Sequence, residues 1–185
     1  MIDQIKEHIE VKVMAKKALF ISVGELKKKS IIDGNVDSDK ILQFVEVAQD
    51  TNIHNYLGTN LYEKLQELII SGTIGDVANE DYKLLLDDYI KPMLIWYSQA
   101  TYLPFSMFQV KNGGIHKHTS ENGDVVDKND LDYIIQRTRD NAEFYTKRFL
   151  DFICANSTLY PEYLTNANGD MSPDKDVNYT GGWLL

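Results

Sequence analysis

Cysteine, basic charge and long apolar runs are all scarce in this chain of 185 residues. Cys154 is the sole cysteine, which excludes an intramolecular disulfide and a thiolate metal cluster and fits a reducing compartment without requiring one. Lys and Arg number 19 against 28 Asp and Glu, a formal net charge of -9. Such a balance is ill suited to gripping a phosphate backbone, which takes clustered cations that displace counterions. The opening residues MIDQIKEHIEVKVMAKK carry charges throughout and no apolar run, unlike a secretory signal. The uncharged stretch closest to membrane length is Pro92 to Val110, but it holds prolines, Ser, Gln and Thr. We read it as a buried central helix, not a span.

Chemical signatures are missing too. The sequence has no Gly-x-Gly-x-x-Gly, no phosphate-cradling Gly-x4-Gly-Lys-Ser/Thr, no His-Glu-x-x-His and no Gly-x-Ser-x-Gly. Glu-x-x-His, which a di-iron bundle needs twice, does not occur once. His54 follows Asp50 by four residues, a spacing that puts both on one side of a helix. With no matching pair elsewhere, it reads better as a surface histidine near a helix C-terminus. The acidic turn at 33 to 39 and Asp87-Asp88 raise the question of calcium, but the turn lacks the ligand order of an EF-hand loop and suits helix capping. Cys154 falls beside an apolar seam and reads as a small core residue.

What the chain does contain is helical periodicity. A hydrophobic fraction of 43% supports one domain with a real core. Ser22-Val-Gly-Glu25 has capping-box spacing and opens a short helix that ends near Lys29. Asp37 or Ser38 caps a helix from Lys40 to Tyr56, which Leu57-Gly58 closes with the glycine left-handed. Thr59 or Asn60 caps the next, whose face is Leu61, Leu65, Leu68 and Ile69 and whose end is Ser71-Gly72. From about Asn79 a long run follows, which Pro92 and Pro104 should bend or break. The clearest helix is Asn129 to Asn156, with Leu131, Ile134, Ile135, Thr138, Ala142, Tyr145, Phe149, Phe152 and Ile153 on one seam.

Between the last two long helices lies KNGGIHKHTSENGDVV, Lys111 to Val126, with two of the four histidines. Asn122-Gly123 is a strong signal for a two-residue hairpin turn. Folding there sets Ser120 opposite Val125, Thr119 opposite Val126 and His118 opposite Asp127. His116 and His118 then share a face, with Ile115 on the other. Two same-face imidazoles make half a zinc site, but Glu121 opposite Asp124 weakens the pair, and an isolated hairpin is marginal. A projecting arm that a partner holds is the preferred reading over a metal site.

The ordered set ALFISVGELKKKSIIDGNVDSDKILQFVEVAQDTNIHNYLGTNLYEKL, then YIKPMLIWYSQATYLPF, then GGIHKHTSENG, then a long amphipathic helix before Tyr160-Pro161-Glu162-Tyr163, resembles the head-to-tail connector (head-completion or ring adaptor) proteins of tailed bacteriophages. The likeness is to those of Bacteroidetes phages in particular, crAss-like phages included, and covers about residues 14 to 165. It implies a structural virion protein of the neck, made in the host cytoplasm. Copies would form a homo-oligomeric ring, a dodecamer in that family, docked under the portal protein and meeting other neck or tail proteins. Double-stranded DNA would pass without specific binding, which suits an acidic subunit. No enzyme activity, cofactor, metal or membrane is implied.

The expected architecture is all-α: a helical bundle with an inserted β-hairpin arm and extended terminal segments. Residues 1–21 form an N-terminal arm, 22–156 the helical domain with the hairpin arm at 111–126, and 157–185 an extended C-terminal tail. Expected contact residues are Ile115, His116, His118, Asn122 and Gly123 on the arm, and Trp183, Leu184 and Leu185, apolar residues from which a monomer gains little. Two other classes stay open: a metal-dependent helical-bundle enzyme using His54, His116 and His118, and a cytoplasmic interaction module with an apolar tail.

Overall fold

Ser22 starts the first helix as its sequence spacing predicts. In the computed structural model, which describes residues 17–32, 34–111, 114–117, 127–165 and 170–176, Ser22 Oγ accepts the Glu25 amide at 3.1 Å. Glu25 itself turns to Lys29 at 2.8 Å, so half of the capping box forms. The helix, α1 (Val23–Lys29), is too short to persist on propensity. Leu26, fully buried in the core, holds it in place.

Asp37 caps α2 (Ser38–Ala48) by accepting the Asp39 amide at 3.0 Å. A wide π turn, Gln49–Ile53, continues it into α3 (His54–Ile70). The extra residue in that turn lets Ala48, Gln49 and Ile53 all face inward. Within α3 the chain kinks at Gly58, where φ is 69° and ψ is 161°. The positive φ matches the sequence reading, but ψ is extended and not left-handed helical, a combination essentially reserved for glycine. Beyond the kink Leu61, Leu65 and Leu68 are buried, as their spacing requires.

Two short 3-10 turns, Thr73–Gly75 and Val77–Asn79, lead to a long rod. It comprises α4 (Glu80–Leu84), a second π turn (Leu85–Ile90) and α5 (Lys91–Ser106). Pro92 does not break the helix: a π turn precedes it, and the backbone stays right-handed helical at Leu85, Ile90 and Lys91. A proline strips the carbonyl four residues earlier of its amide; here that carbonyl belongs to Asp88, and Arg148 Nη1 donates to it at 3.0 Å. Pro104 sits near the end of α5, where few helical bonds remain to be lost.

The longest helix, α6 (Lys128–Ala155), starts at the Asp127 cap. It packs on the rod in antiparallel fashion: Tyr89 stacks on Phe152 with centroids 4.0 Å apart, and Tyr97 Oη lies 3.0 Å from Thr146 Oγ1. Ile135, Thr138, Ala142, Phe149 and Ile153 are buried along the expected seam. Ile134 leaves it for solvent, and so does Cys154, which the sequence reading had placed in the core. A rotation of one residue past Ile153 is enough to carry the thiol outward.

Two further expectations need correction. Between α5 and α6 the described strands are β1 (Phe108–Lys111) and β2 (Gly114–Lys117), paired antiparallel with Val110 opposite Ile115 and Gln109 opposite His116. Among the described residues the hairpin expected about Asn122-Gly123 is not supported. Residues 114–117 pair backward with β1, and Asp127, the expected partner of His118, caps α6 instead. Residues 118–126 lie outside the described residues. The fold class is mostly helical, with these two short strands. The stretch after α6 also begins inside the body: a 3-10 turn (Ser157–Leu159) and α7 (Pro161–Leu164) bury Tyr160 and Tyr163 in the main core. Among the described residues no helix is long and apolar enough to cross a membrane.

Candidate functional site at the helix junction holding both terminal segments

Glutamine on the apolar face of a helix needs partners, because a buried amide left unbonded costs about 1–3 kcal/mol. Gln49 is fully buried and Gln66 nearly so. Both spend their side chains on the backbone of residues 18 to 20, which thereby bridges the first π turn and α3. Ala18 N–H donates to Gln66 Oε1 at 2.6 Å, and Phe20 N–H donates to Gln49 Oε1 at 2.8 Å. The Ala18 carbonyl accepts from both amides, at 3.0 Å from Gln49 and 2.8 Å from Gln66. Phe20 and Ile21 sink into the core beside this polar ladder, and Lys17 pairs with Asp50. Residues 17 to 21, expected in an arm, are thus part of the folded body.

The second amide proton of Gln49 reaches Tyr62 Oη at 2.9 Å. Burial pushes the Tyr62 phenol up to about 12, against the Gln49 bond that favours its ionised form. His54 stacks on the Tyr62 ring at 4.3 Å and is largely covered, not the surface histidine of the sequence reading. The junction thereby joins the N-terminal segment to a second docking point.

That second point is the Gly58 kink, which residues 170 to 176 cross as a strap. Thr59 N–H donates to the Met171 carbonyl at 2.9 Å, and Met171 N–H donates to Thr59 Oγ1 at 3.1 Å. Asp174 N–H donates to the Asn55 carbonyl at 2.9 Å. Thr59 Oγ1 gives its single proton to Asp170 Oδ2 at 3.0 Å. His54 Nε2, 3.1 Å from Thr59 Oγ1, is therefore the donor in that contact. Pro173 lies over Gly58, where any Cβ would sit 2.6 Å from two ring carbons.

Gln49, Gln66 and Thr59 all bond to residues 18–20 or 170–171. Among the described residues no cluster of three or more His, Cys, Asp or Glu is placed to hold a metal. Asp50 and His54, weighed earlier as a pair, go to different partners, Lys17 and Tyr62. Of the residues expected to make contacts, Ile115 and His116 lie on β2 with backbones paired to Val110 and Gln109. His118, Asn122, Gly123, Trp183, Leu184 and Leu185 fall outside the described residues. Sequence reasoning missed Gln49, Gln66, Thr59 and Pro173. The available signal was a polar residue at an apolar helical position, which Gln49 and Gln66 both show.

Comparison with known proteins finds no match among curated proteins and none among solved structures. A family model does match, over residues 53–172, from the π turn through α6 to the strap. The two ends of that span meet across the His54, Thr59, Asp170 and Met171 contacts. With well over half of its length matched, the chain belongs to a family of unknown function, DUF6712.

Proposed function

We propose that this protein is a non-enzymatic structural subunit of a phage neck, forming an oligomeric ring between portal and tail through which DNA passes. The observation that carries the reading is the shared anchorage of residues 17–21 and 170–176 on one helix junction, linked through Gln49, Tyr62 and His54. A rigid helical body that fixes both flanking segments at one place suits a subunit that must meet neighbours in a set geometry. The buried Gln49, Thr59 and Gln66 all serve this anchorage. The ordered sequence resemblance to connector proteins supplies the class, and the net charge of -9 suits a channel wall that must not hold its cargo.

The reading is tested by mixing the purified chain with portal protein and imaging the product by electron microscopy. Rings seated on the portal are expected. A chain that stays monomeric beside the portal at all ratios contradicts it.

A further inference from the structure

Tyr62 stands between the two docking points. Its ring centroid lies 5.3 Å from that of Phe20 and 4.3 Å from that of His54. Its hydroxyl accepts from Gln49 Nε2, and Gln49 Oε1 accepts the Phe20 amide. The N-terminal segment therefore holds Tyr62 at the ring directly and at the hydroxyl through Gln49. At the second docking point His54 Nε2 donates to Thr59 Oγ1, which also accepts the Met171 amide and donates to Asp170. A hydroxyl has one proton and two lone pairs, so Thr59 Oγ1 is fully used while residues 170 and 171 are in place. Asp170 Oδ2 lies 3.9 Å from His54 Nε2, so the strap borders the imidazole as well. Gln49, Thr59 and Tyr62 are all buried. A buried polar group that loses its partner has to find another or open to water.

We propose that the docking of residues 17–21 and the docking of residues 170–176 are energetically coupled through Phe20, Gln49, Tyr62, His54 and Thr59, so that release of either segment loosens the other. Loss of the strap frees the Thr59 proton from Asp170 and uncovers Gly58. His54 then loses the fixed acceptor that sets its ring against Tyr62. Loss of the N-terminal segment takes Phe20 off the Tyr62 ring and leaves the Gln49 amide without Ala18 and Phe20. The Tyr62 hydroxyl then loses its positioned donor, and His54 loses a fixed stacking surface. Such coupling is reciprocal: the factor by which strap docking favours N-terminal docking is returned in full. A neighbour that captures one segment thereby makes the other available. The coupling is a property of the single chain and stands or falls apart from the ring reading.

Hydrogen exchange on the full chain tests it. Asp170→Ala combined with Pro173→Gly changes the strap alone, at an exposed carboxylate and at the ring over Gly58. Protection factors of the Met171 and Asp174 amides should fall about tenfold or more, and those of the distant Ala18 and Phe20 amides about fivefold or more. Amides in the buried seam of α6, such as Phe149 and Ile153, should keep the parent's protection, which separates coupling from general destabilisation. In a His54→Leu background the same strap change should no longer reach Ala18 and Phe20, a non-additivity that the double-mutant cycle measures. A loss confined to the strap amides, a loss shared equally by α6, or an undiminished response in the His54→Leu background overturns the proposal. Unchanged protection at Met171 overturns it too, because the bond from Thr59 to Asp170 is one of its links.

Discussion

Pro173 covers Gly58, with its ring carbons where a side chain on residue 58 would have to be. Backbone conformation and packing act together there, since the φ of 69° and ψ of 161° are already closed to other residues. Gly58→Ala should cost about 1–3 kcal/mol in chemical denaturation from backbone strain alone. It should also lift the strap, so hydrogen exchange at the Met171 and Asp174 amides should rise well before global unfolding. Unchanged protection at those amides would show that the strap is not held at the kink.

Gln49→Leu keeps the shape of the side chain but removes its donors and its acceptor. The Phe20 amide loses its partner and the Tyr62 hydroxyl loses a donor, at an expected cost of about 1–3 kcal/mol. The released segment at residues 17 to 20 should become the first site of limited proteolysis. A neutral substitution would mean that water replaces the amide at no cost.

These two sites differ in how far the sequence announced them. Helix starts at Ser22 and Asp37 and the buried seam of α6 were readable, because capping side chains and helical periodicity are local signals, whereas Asp127, read as the hairpin partner of His118, caps α6 instead. Gly58 was readable as a break, but the proline 115 residues later that covers it leaves no local trace. That the helix runs on through Pro92 without a break was hidden for a similar reason: the π turn and Arg148 together accommodate the proline, and neither is visible from the dipeptide. The pairing of residues 114–117 with 108–111 was not read from the sequence, and the hairpin expected about Asn122-Gly123 falls outside the described residues. The roles of Gln49 and Gln66 needed the crossing of residues 18 to 20, a tertiary fact.

Arg148 offers a test of that accommodation. Its guanidinium lies 4.7 Å from the Tyr89 ring centre and donates to the Asp88 carbonyl that Pro92 leaves unpaired. Arg148→Met should destabilise by about 1 kcal/mol, combining a lost cation–π contact with a lost backbone bond. In a Pro92→Ala background the residue at 92 can supply the amide, and the same substitution should cost less. Equal costs in both backgrounds would separate Arg148 from the proline.

Asp87 couples stability to acid. Partial burial pushes its carboxyl up, but Lys83 and Lys91, each 2.6 Å away, outweigh that and hold it below its ordinary range. A depressed folded-state value means that the stabilisation is present above the unfolded value, about 3.9, and is lost as pH falls through the folded value. Asp87→Asn should therefore lower Tm at neutral pH, and the gap to the parent should close in acid below about pH 4. A gap that is constant across that range would remove the ion pairs as its cause.

The central claim is that this chain is built to assemble. Mass photometry of the full chain, alone and with portal protein, tests it most directly. The account predicts a discrete ring species that appears or sharpens when portal is added. A single monomer peak at every concentration and portal ratio would contradict it.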